Sequence, residues 1–439
     1  MGRLTFKGGI HPFDGKKLSK DKPICDLLPG KRLYYPLGQH IGAPAAMIVE
    51  KGERVLAGQM IAKQNGFVSS PVYSSVSGTV VGLEKCRNVM GDFVDAIVID
   101  NDELYESALP INDKPFDQMT RQEIIDVIGL AGIVGMGGAG FPTQVKLSPK
   151  EPDKIDYIIV NCAECEPYLT SDYRKMLEEP EKLIGGLKII LSLFDHAKGV
   201  LAIEDNKRDC IDLLREKTKD IADIEVAALK TKYPQGSERH LIYAVTKRSI
   251  NSKMLPADAG CIVNNVDTVI AINNAVHEGK PLMERIVTVT GDCFKNPCNY
   301  RVRIGMLYSE IIEAAGGFDK EPEKIISGGP MMGFSLFDVE VPVTKSSSAV
   351  LAFSQDAVSK VKPTACINCG RCSKACPSRL LPGKLEDAVV NNNEERFLAL
   401  GGMECVECGS CSYVCPAKKQ LCQAIKSMRK MQLAKARKK

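Results

Sequence analysis

Apolar and polar positions alternate in three rhythms along the 439 residues. A stretch rich in Gly, Pro and Lys, residues 1–30, reads as an irregular leader. Residues 31–102 then run in short alternating strands broken by glycine. Their clearest part, residues 49–83, reads VEKGERVLAGQMIAKQNGFVSSPVYSSVSGTVVGL, a series of hairpin strands. From residue 114 to about 280 the period lengthens. Helices are expected over 120–131, 179–194 and 206–219, and buried strands over 157–160, 200–203 and 224–229. Thr120 and Glu123 suit a capping box for the first helix. This alternation predicts a parallel sheet covered by helices. Residues 285–343 follow as strand, strand, helix, strand in IVTVTG, YRVRIG, LYSEIIEAAGG and KIISGGPMMG. The expectation is a multidomain α/β protein: leader 1–30, β domain 31–113, α/β domain 114–284, small module 285–345, linker 346–360, cysteine-rich domain 361–425 and basic tail 426–439.

Charge changes the picture only at the end of the chain. Fifty-eight Lys and Arg against 54 Asp and Glu give +4, but seven of the cations lie in residues 426–439. The rest is mildly acidic, which argues against a nucleic-acid binder with a broad basic face. No stretch approaches the roughly 18 consecutive apolar residues of a membrane span. The first residues lack the apolar core of a signal peptide. An intracellular protein with at most peripheral membrane contact is expected. Eight of the 17 cysteines fall within residues 366–415. Without a secretion signal, such a cluster points to metal ligands or redox work rather than disulfides.

Two runs carry that cluster: Cys366-x-x-Cys369-x-x-Cys372-x-x-x-Cys376-Pro377 and Cys405-x-x-Cys408-x-x-Cys411-x-x-x-Cys415-Pro416. Thiolates at this spacing wrap a [4Fe–4S] cube, and the fourth cysteine of each run ligates the other cube. One centre is expected on Cys366, Cys369, Cys372 and Cys415, the other on Cys405, Cys408, Cys411 and Cys376. A pair of four-cysteine zinc sites fits the repeated run less well. A helix near residues 384–400 predicts a helical ferredoxin domain. Cys162 and Cys165 form a further C-x-x-C pair, which could be redox-active but reads better as small packing groups. The five histidines are scattered and do not suggest catalysis.

Gly135-Met136-Gly137-Gly138-Ala139-Gly140 matches G-x-G-x-x-G but follows a helix rather than the strand a dinucleotide fingerprint needs;. Its backbone N–H groups can still approach a phosphate or a flat ring. The longer text, Gly137-Gly138-Ala139-Gly140-Phe141-Pro142-Thr143-x-x-Lys146, resembles the flavin-and-NADH loop of the NADH-binding subunit of respiratory complex I. Three further segments resemble that family in the same order: Asn161-x-x-Glu164-x-Glu166-Pro167, Tyr233-x-x-Gly236-x-Glu238 and Asn264-Asn265-Val266-Asp267-Thr268. The resemblance implies non-covalent FMN held by the glycine loop (Gly135, Gly137, Gly138, Gly140), Asn161, Gly236, Asn264, Asn265 and Thr268. It also implies NAD(H) as substrate. Phe141 would stack on nicotinamide or adenine, Lys146 would pair with a phosphate, and Glu164, Glu166 and Glu238 would meet ribose hydroxyls or the carboxamide. Tyr233 belongs to the same set. Met136 stands where the complex I subunit has Arg, so a guanidinium contact from that position is missing.

Residues 49–83 resemble the barrel-sandwich fold of biotinyl and lipoyl domains, but the tip, Asn65-Gly66-Phe67-Val68-Ser69-Ser70, has no lysine to modify. A docking or structural role is expected instead. Residues 285–343 resemble the β-grasp-like module that accompanies flavin domains in NADH dehydrogenases. The whole plan resembles the C subunit of Rnf complexes, which are membrane-bound ferredoxin–NAD oxidoreductases. That resemblance implies a barrel-sandwich domain, a Rossmann-like FMN/NADH domain, a β-grasp-like module and a di-cluster ferredoxin domain. It implies hydride exchange between NAD(H) and FMN, single-electron exchange with two [4Fe–4S] clusters, and a peripheral place on the cytoplasmic side of the cell membrane. The implied partners are the other members of the complex, including a ferredoxin-like iron–sulfur subunit, with ferredoxin reached indirectly. A cobalamin reductase of bacterial microcompartments shares the domain plan, and a non-catalytic relay or scaffold is a different reading. Ile425, Met428 and Met431 fall on one face of the basic tail, which suits an anionic membrane surface, an acidic partner or a solubilising end.

Overall fold

The computed structural model describes residues 4–437. At its centre lies a four-stranded parallel sheet in the order Ile224–Leu229, Lys198–Glu204, Tyr157–Cys162, Cys261–Asn265. Its strands are near-continuous apolar runs because both faces are covered. Ile158, Val160, Leu201 and Ile203 face the helices Arg121–Leu130, Pro180–Leu191, Arg208–Thr218 and Val266–Glu278. Ile159, Val200, Ala202 and Val263 face the helix Glu238–Thr246. The predicted capping box is present, with Thr120 and Glu123 satisfying each other's backbone N–H at the start of Arg121–Leu130. Gly185 and Gly186 let Pro180–Leu191 approach Val266–Glu278, and a Cβ on Gly186 would lie 2.0 Å from the Val269 carbonyl oxygen. Gly186→Ala is therefore expected to cost about 1–3 kcal/mol by forcing the two helices apart, measured by urea unfolding. An unchanged midpoint would contradict that packing.

The β domain has a four-stranded antiparallel sheet built on Gly78–Arg87 and Phe93–Asn101, and a three-stranded one built on Met60–Lys63. Its hairpin tip is exposed at Asn65, Gly66 and Phe67, while Ser69 and Ser70 behind it are buried. His40 bonds the backbone of Ser70, and Gln144 of the α/β domain donates to Gln64 at 3.1 Å. Tyr73 donates to the Leu130 carbonyl, just before the glycine loop.

Two expectations need correction. Residues 346–360 are not a linker throughout: the apolar run Ala349–Phe353 is a strand inside a six-stranded sheet, parallel to Glu284–Thr290 and antiparallel to Lys324–Ser327. The leader is irregular over most of its length, as expected, but it packs onto the rest of the chain. Leu4 bridges Leu229, Ile10 bridges Tyr233, and Ile24–Asp26 forms the edge strand beside Cys298–Arg303. Residues 1–3 of the leader lie outside the described residues. The basic tail continues the helix Leu421–Arg437, and its apolar face is already used. Ile425 and Met428 are buried against Leu385, Ala388 and Phe397, because the cysteine-rich domain needs this helix to close its core, while Met431 remains partly exposed. Arg429 pairs with Glu407 and Lys435 with Glu394. Lys438 and Lys439 lie outside the described residues. Among the described residues no helix is long and apolar enough to cross a membrane.

Candidate functional site

In an open parallel sheet, ligands bind beyond the carboxyl ends of the strands where the strand order reverses. Here that point lies between Tyr157–Cys162 and Cys261–Asn265, in register through Asn161 and Asn265. Asn161, Asn264 and Asn265 thus stand together at the mouth of the crevice. Asn161 Nδ2 donates to the Gly236 carbonyl at 2.8 Å. Asn265 caps the helix Val266–Glu278 and donates to Asp172 at 2.7 Å. Asn264 is buried, and neither its Nδ2 nor its Oδ1 has a partner among the described residues. Gln235, between Tyr233 and Gly236, is equally buried with both amide atoms unpartnered. Buried polar atoms are rarely left so. Unpartnered amides at the carboxyl end of this sheet fit a polar, flat cofactor such as a flavin.

The glycine loop is a closed hairpin: Val134 bridges Pro142, and Gly135 N–H donates to the Phe141 carbonyl at 2.8 Å. Thr268 Oγ1 holds it to the first turn of the helix Val266–Glu278 by accepting from Met136 N–H at 3.0 Å. Gly137 lies against Asn265, leaving 2.9 Å between that side chain and any Cβ, whereas Gly138 faces open space. Gly140 takes a φ of 70°. The Met136 side chain turns inward, with its sulfur 2.7 Å from a guanidinium nitrogen of Arg285. An arginine is therefore adjacent to the loop after all, held by Asp267, which also pairs with Lys175.

The acidic residues do not share one role. Glu238 is half-exposed and 3.6 Å from Lys146, whose ammonium donates to the Val263 carbonyl at 2.8 Å. Glu164 is buried, with a φ of 45°, and Oε1 accepts from Asp172 N–H at 2.7 Å while Oε2 has no hydrogen-bond partner. Burial pushes its carboxyl up, and Lys16, 3.8 Å away, opposes the shift. Lys16 itself donates to the carbonyls of Glu164, Glu166 and Leu169. Sequence reading missed Lys16, Asp172, Gln235 and Arg285, none of which carries a spacing signal. Cys165 accepts the Gly236 N–H at 3.3 Å, and burial pushes its thiol up to about 12. Cys162 is fully buried in the sheet.

Glu166 points away from the crevice mouth toward the cysteine-rich domain. It accepts from Met331 N–H at 3.1 Å and lies 3.3 Å from the Tyr233 hydroxyl. That hydroxyl is 2.8 Å from the Cys408 carbonyl. Tyr233 has one proton for two acceptors, so both contacts are hydrogen bonds only when Glu166 is protonated and donates to the phenol oxygen. Burial pushes Glu166 up to about 7. A carboxyl raised from its ordinary value contributes stability below that value, and loses it as pH rises through about 7. Stability should therefore fall between pH 4.5 and pH 7. Asp172, also pushed up to about 7 by burial beside Glu164 and Asp267, adds to the same slope. Glu166→Gln should flatten that slope by about half, read by thermal unfolding across this range. An unchanged slope would refute the assignment.

The two cysteine runs are copies in backbone as well as spacing. Asn368 and Glu407 have φ of 55° and 56°, Gly370 and Gly409 72° and 75°, Arg379 and Lys418 59° and 53°. In both runs the residue two after the first cysteine turns its N–H to that thiol at 3.4 Å. Cys376, Cys405, Cys408 and Cys411 line one cavity, the grouping expected when the fourth cysteine crosses to the other run. Cys366 and Cys369 are exposed, and Cys372 and Cys415 are partly buried. The domain is held to the rest by Arg239 on Glu404 at 3.0 Å, by Ser252 on the same carboxylate, and by Gly9 N–H on the Ala375 carbonyl.

Four family profiles match in this order along the chain. They are the RnfC Barrel sandwich hybrid domain over residues 4–104, the Nuo51 FMN-binding domain over 128–274, the SLBB domain over 286–335 and a 4Fe-4S dicluster domain over 365–419. Among solved structures, a chain of an NAD+-reducing [NiFe]-hydrogenase in the H2-reduced state superposes with a TM-score of 0.52 at 19% identity. The match covers 66% of this chain and 57% of that one, a likeness of fold alone. The C subunit of the proton-translocating ferredoxin:NAD(+) oxidoreductase complex of Clostridium ljungdahlii is 44% identical, covering 87% of this chain and 83% of the relative. The Na(+)-translocating counterpart of Acetobacterium woodii is 41% identical over 99% of this chain and 98% of its own length. The C subunit of the ion-translocating oxidoreductase complex of Rhodobacter capsulatus is 37% identical over 91% and 78%. The chain belongs to the family of C subunits of ion-translocating ferredoxin:NAD(+) oxidoreductase complexes.

Proposed function

We propose that this chain exchanges hydride between NAD(H) and non-covalent FMN, and single electrons with two [4Fe–4S] clusters, as the peripheral cytoplasmic-side subunit of a membrane-bound Rnf-type complex. In this reading the parallel sheet is a Rossmann-like nucleotide domain and the module after it β-grasp-like. The observation that carries it is the crevice with the unpartnered amides of Asn264 and Gln235, joined by Tyr233 to the backbone of Cys408. Bound FMN would supply conversion between two-electron and one-electron transfer. Asn161, Asn264, Gly236 and the loop backbone at Gly135, Gly137, Gly138 and Gly140 hold it, while Asn265 and Thr268 fix the loop and helix around it. Phe141 and Lys146 stand on the nucleotide side with Glu164 and Glu238. Glu166 and Tyr233 hold the cluster domain in register, a positioning role. The inner cluster is held by Cys376, Cys405, Cys408 and Cys411, the outer by Cys366, Cys369, Cys372 and Cys415. The exposure of Cys366 and Cys369 suits exchange with a ferredoxin-like iron–sulfur subunit, through which ferredoxin is reached indirectly.

The test is to purify the chain anaerobically, assay FMN and iron, and follow the flavin band on adding NADH. Bound flavin bleached by NADH, with iron for two clusters, is expected. A preparation with no flavin and no NADH-dependent reduction would overturn the proposal.

A further inference from the structure

The cavity of the inner cluster is lined by five thiols, not four. Cys422, outside both runs, shares it with Cys376, Cys405, Cys408 and Cys411. It sits in the first turn of Leu421–Arg437, and its N–H donates to Ser412 Oγ at 2.9 Å, tying it to the short helix Ser410–Tyr413 that carries Cys411. Leu421 is buried and Ile425, one turn on, lines the same cavity, so the helix cannot rotate Cys422 away.

The other run shows what this position faces. Each run is followed by a helix, Pro382–Val390 after the first and Leu421–Arg437 after the second, starting at equivalent positions. The second residue of the first helix is Gly383, the counterpart of Cys422. A Cβ built on Gly383 would lie 4.0 Å from Cys372 Sγ, in van der Waals contact with the counterpart of Cys411. A side chain here is therefore aimed at a ligand sulfur, and in the second run that side chain is itself a thiol.

We propose that Cys422 is a reserve ligand of the inner cluster, able to take the iron that Cys411 holds. The inference rests on the two-cluster reading above. Each iron of a cube takes one protein thiolate, so four of the five thiols suffice. When Cys411 is absent, the Cys422 thiol gives its proton to solvent and its sulfur bonds the open iron. One iron–thiolate bond replaces another, and no oxidation state changes.

The experiment reconstitutes the full chain anaerobically with ferrous iron and sulfide as wild type, C411A, C422A and C411A/C422A. Iron and sulfide per chain are measured, with low-temperature electron paramagnetic resonance after dithionite reduction. Both single variants should retain two clusters, with an altered inner-cluster signal in C411A, and the double variant only one. Loss in C411A equal to that in the double variant would overturn the inference. So would retention of both clusters in the double variant. A gain-of-function pair guards against misfolding of C411A: C372A should hold one cluster and C372A/G383C two, and absence of that rescue counts against the proposal. If wild type assembles no cluster, the two-cluster reading fails and this inference with it.

Discussion

Lys16→Met is expected to lower the unfolding free energy of the nucleotide domain by about 3–5 kcal/mol, the range for removing one partner of a buried ion pair. Lys16 and Glu164 have side chains only 8% and 3% exposed, so solvent screens little of their interaction. Burial pushes the ammonium down, and the Glu164 charge is the first influence opposing it. The methionine fills the volume of the stem. It leaves the carbonyls of Glu164, Glu166 and Leu169 without their shared donor and the Glu164 carboxylate without its cation. Because those carbonyls shape the turn between the crevice and the cluster domain, loosening should appear locally first. Amide exchange at Asp172, whose N–H bonds Glu164, should accelerate before global unfolding;. The protein has no tryptophan, so circular dichroism in urea is the natural readout. A change below about 1 kcal/mol would mean that the leader, a strap across the α/β domain, is held here by backbone contacts alone.

This strap also marks the limit of what the chain discloses by itself. The strands Tyr157–Cys162 and Ile224–Leu229, and the helix Arg121–Leu130 with its capping box, were legible because the signals that form them are local. The two cysteine runs were legible for a different reason: their repeated spacing is the one a cube would dictate. Lys16 gave no such signal, since its partners lie about 150 positions away and a lysine among other lysines looks solvent-exposed. The strand Ala349–Phe353 was hidden by the serines before it, and its apolar run acquires meaning only beside Glu284–Thr290. Ile425 and Met428 showed helical periodicity correctly, but periodicity does not say which surface an apolar face covers;. In the site, the asparagines were found from motif order, whereas Gln235 emerges only from its burial without partners.

Asn264→Leu should move two quantities in opposite directions. Without cofactor, the buried amide of Asn264 leaves a donor and an acceptor unmade, each costing about 1–3 kcal/mol;. Leucine keeps the branched heavy-atom skeleton and has no polar atom, so the cofactor-free protein should become more stable. With cofactor, the amide makes the bonds it lacks, and their loss at about 1–1.5 kcal/mol each corresponds to flavin binding weakened on the order of 30- to 150-fold. Asn161→Leu supplies the contrast. Its amide is already bonded to the Gly236 carbonyl at 2.8 Å, so its loss should destabilise the protein with or without flavin. Titration of the cofactor-free variants with FMN, alongside their urea unfolding, separates the two cases. If Asn264→Leu gains stability while binding FMN as tightly as wild type, the unpartnered amide is a packing defect and the flavin lies elsewhere in the crevice. If it loses stability without flavin, Asn264 has a protein partner after all, and the strongest support for a cofactor at this point in the sheet disappears.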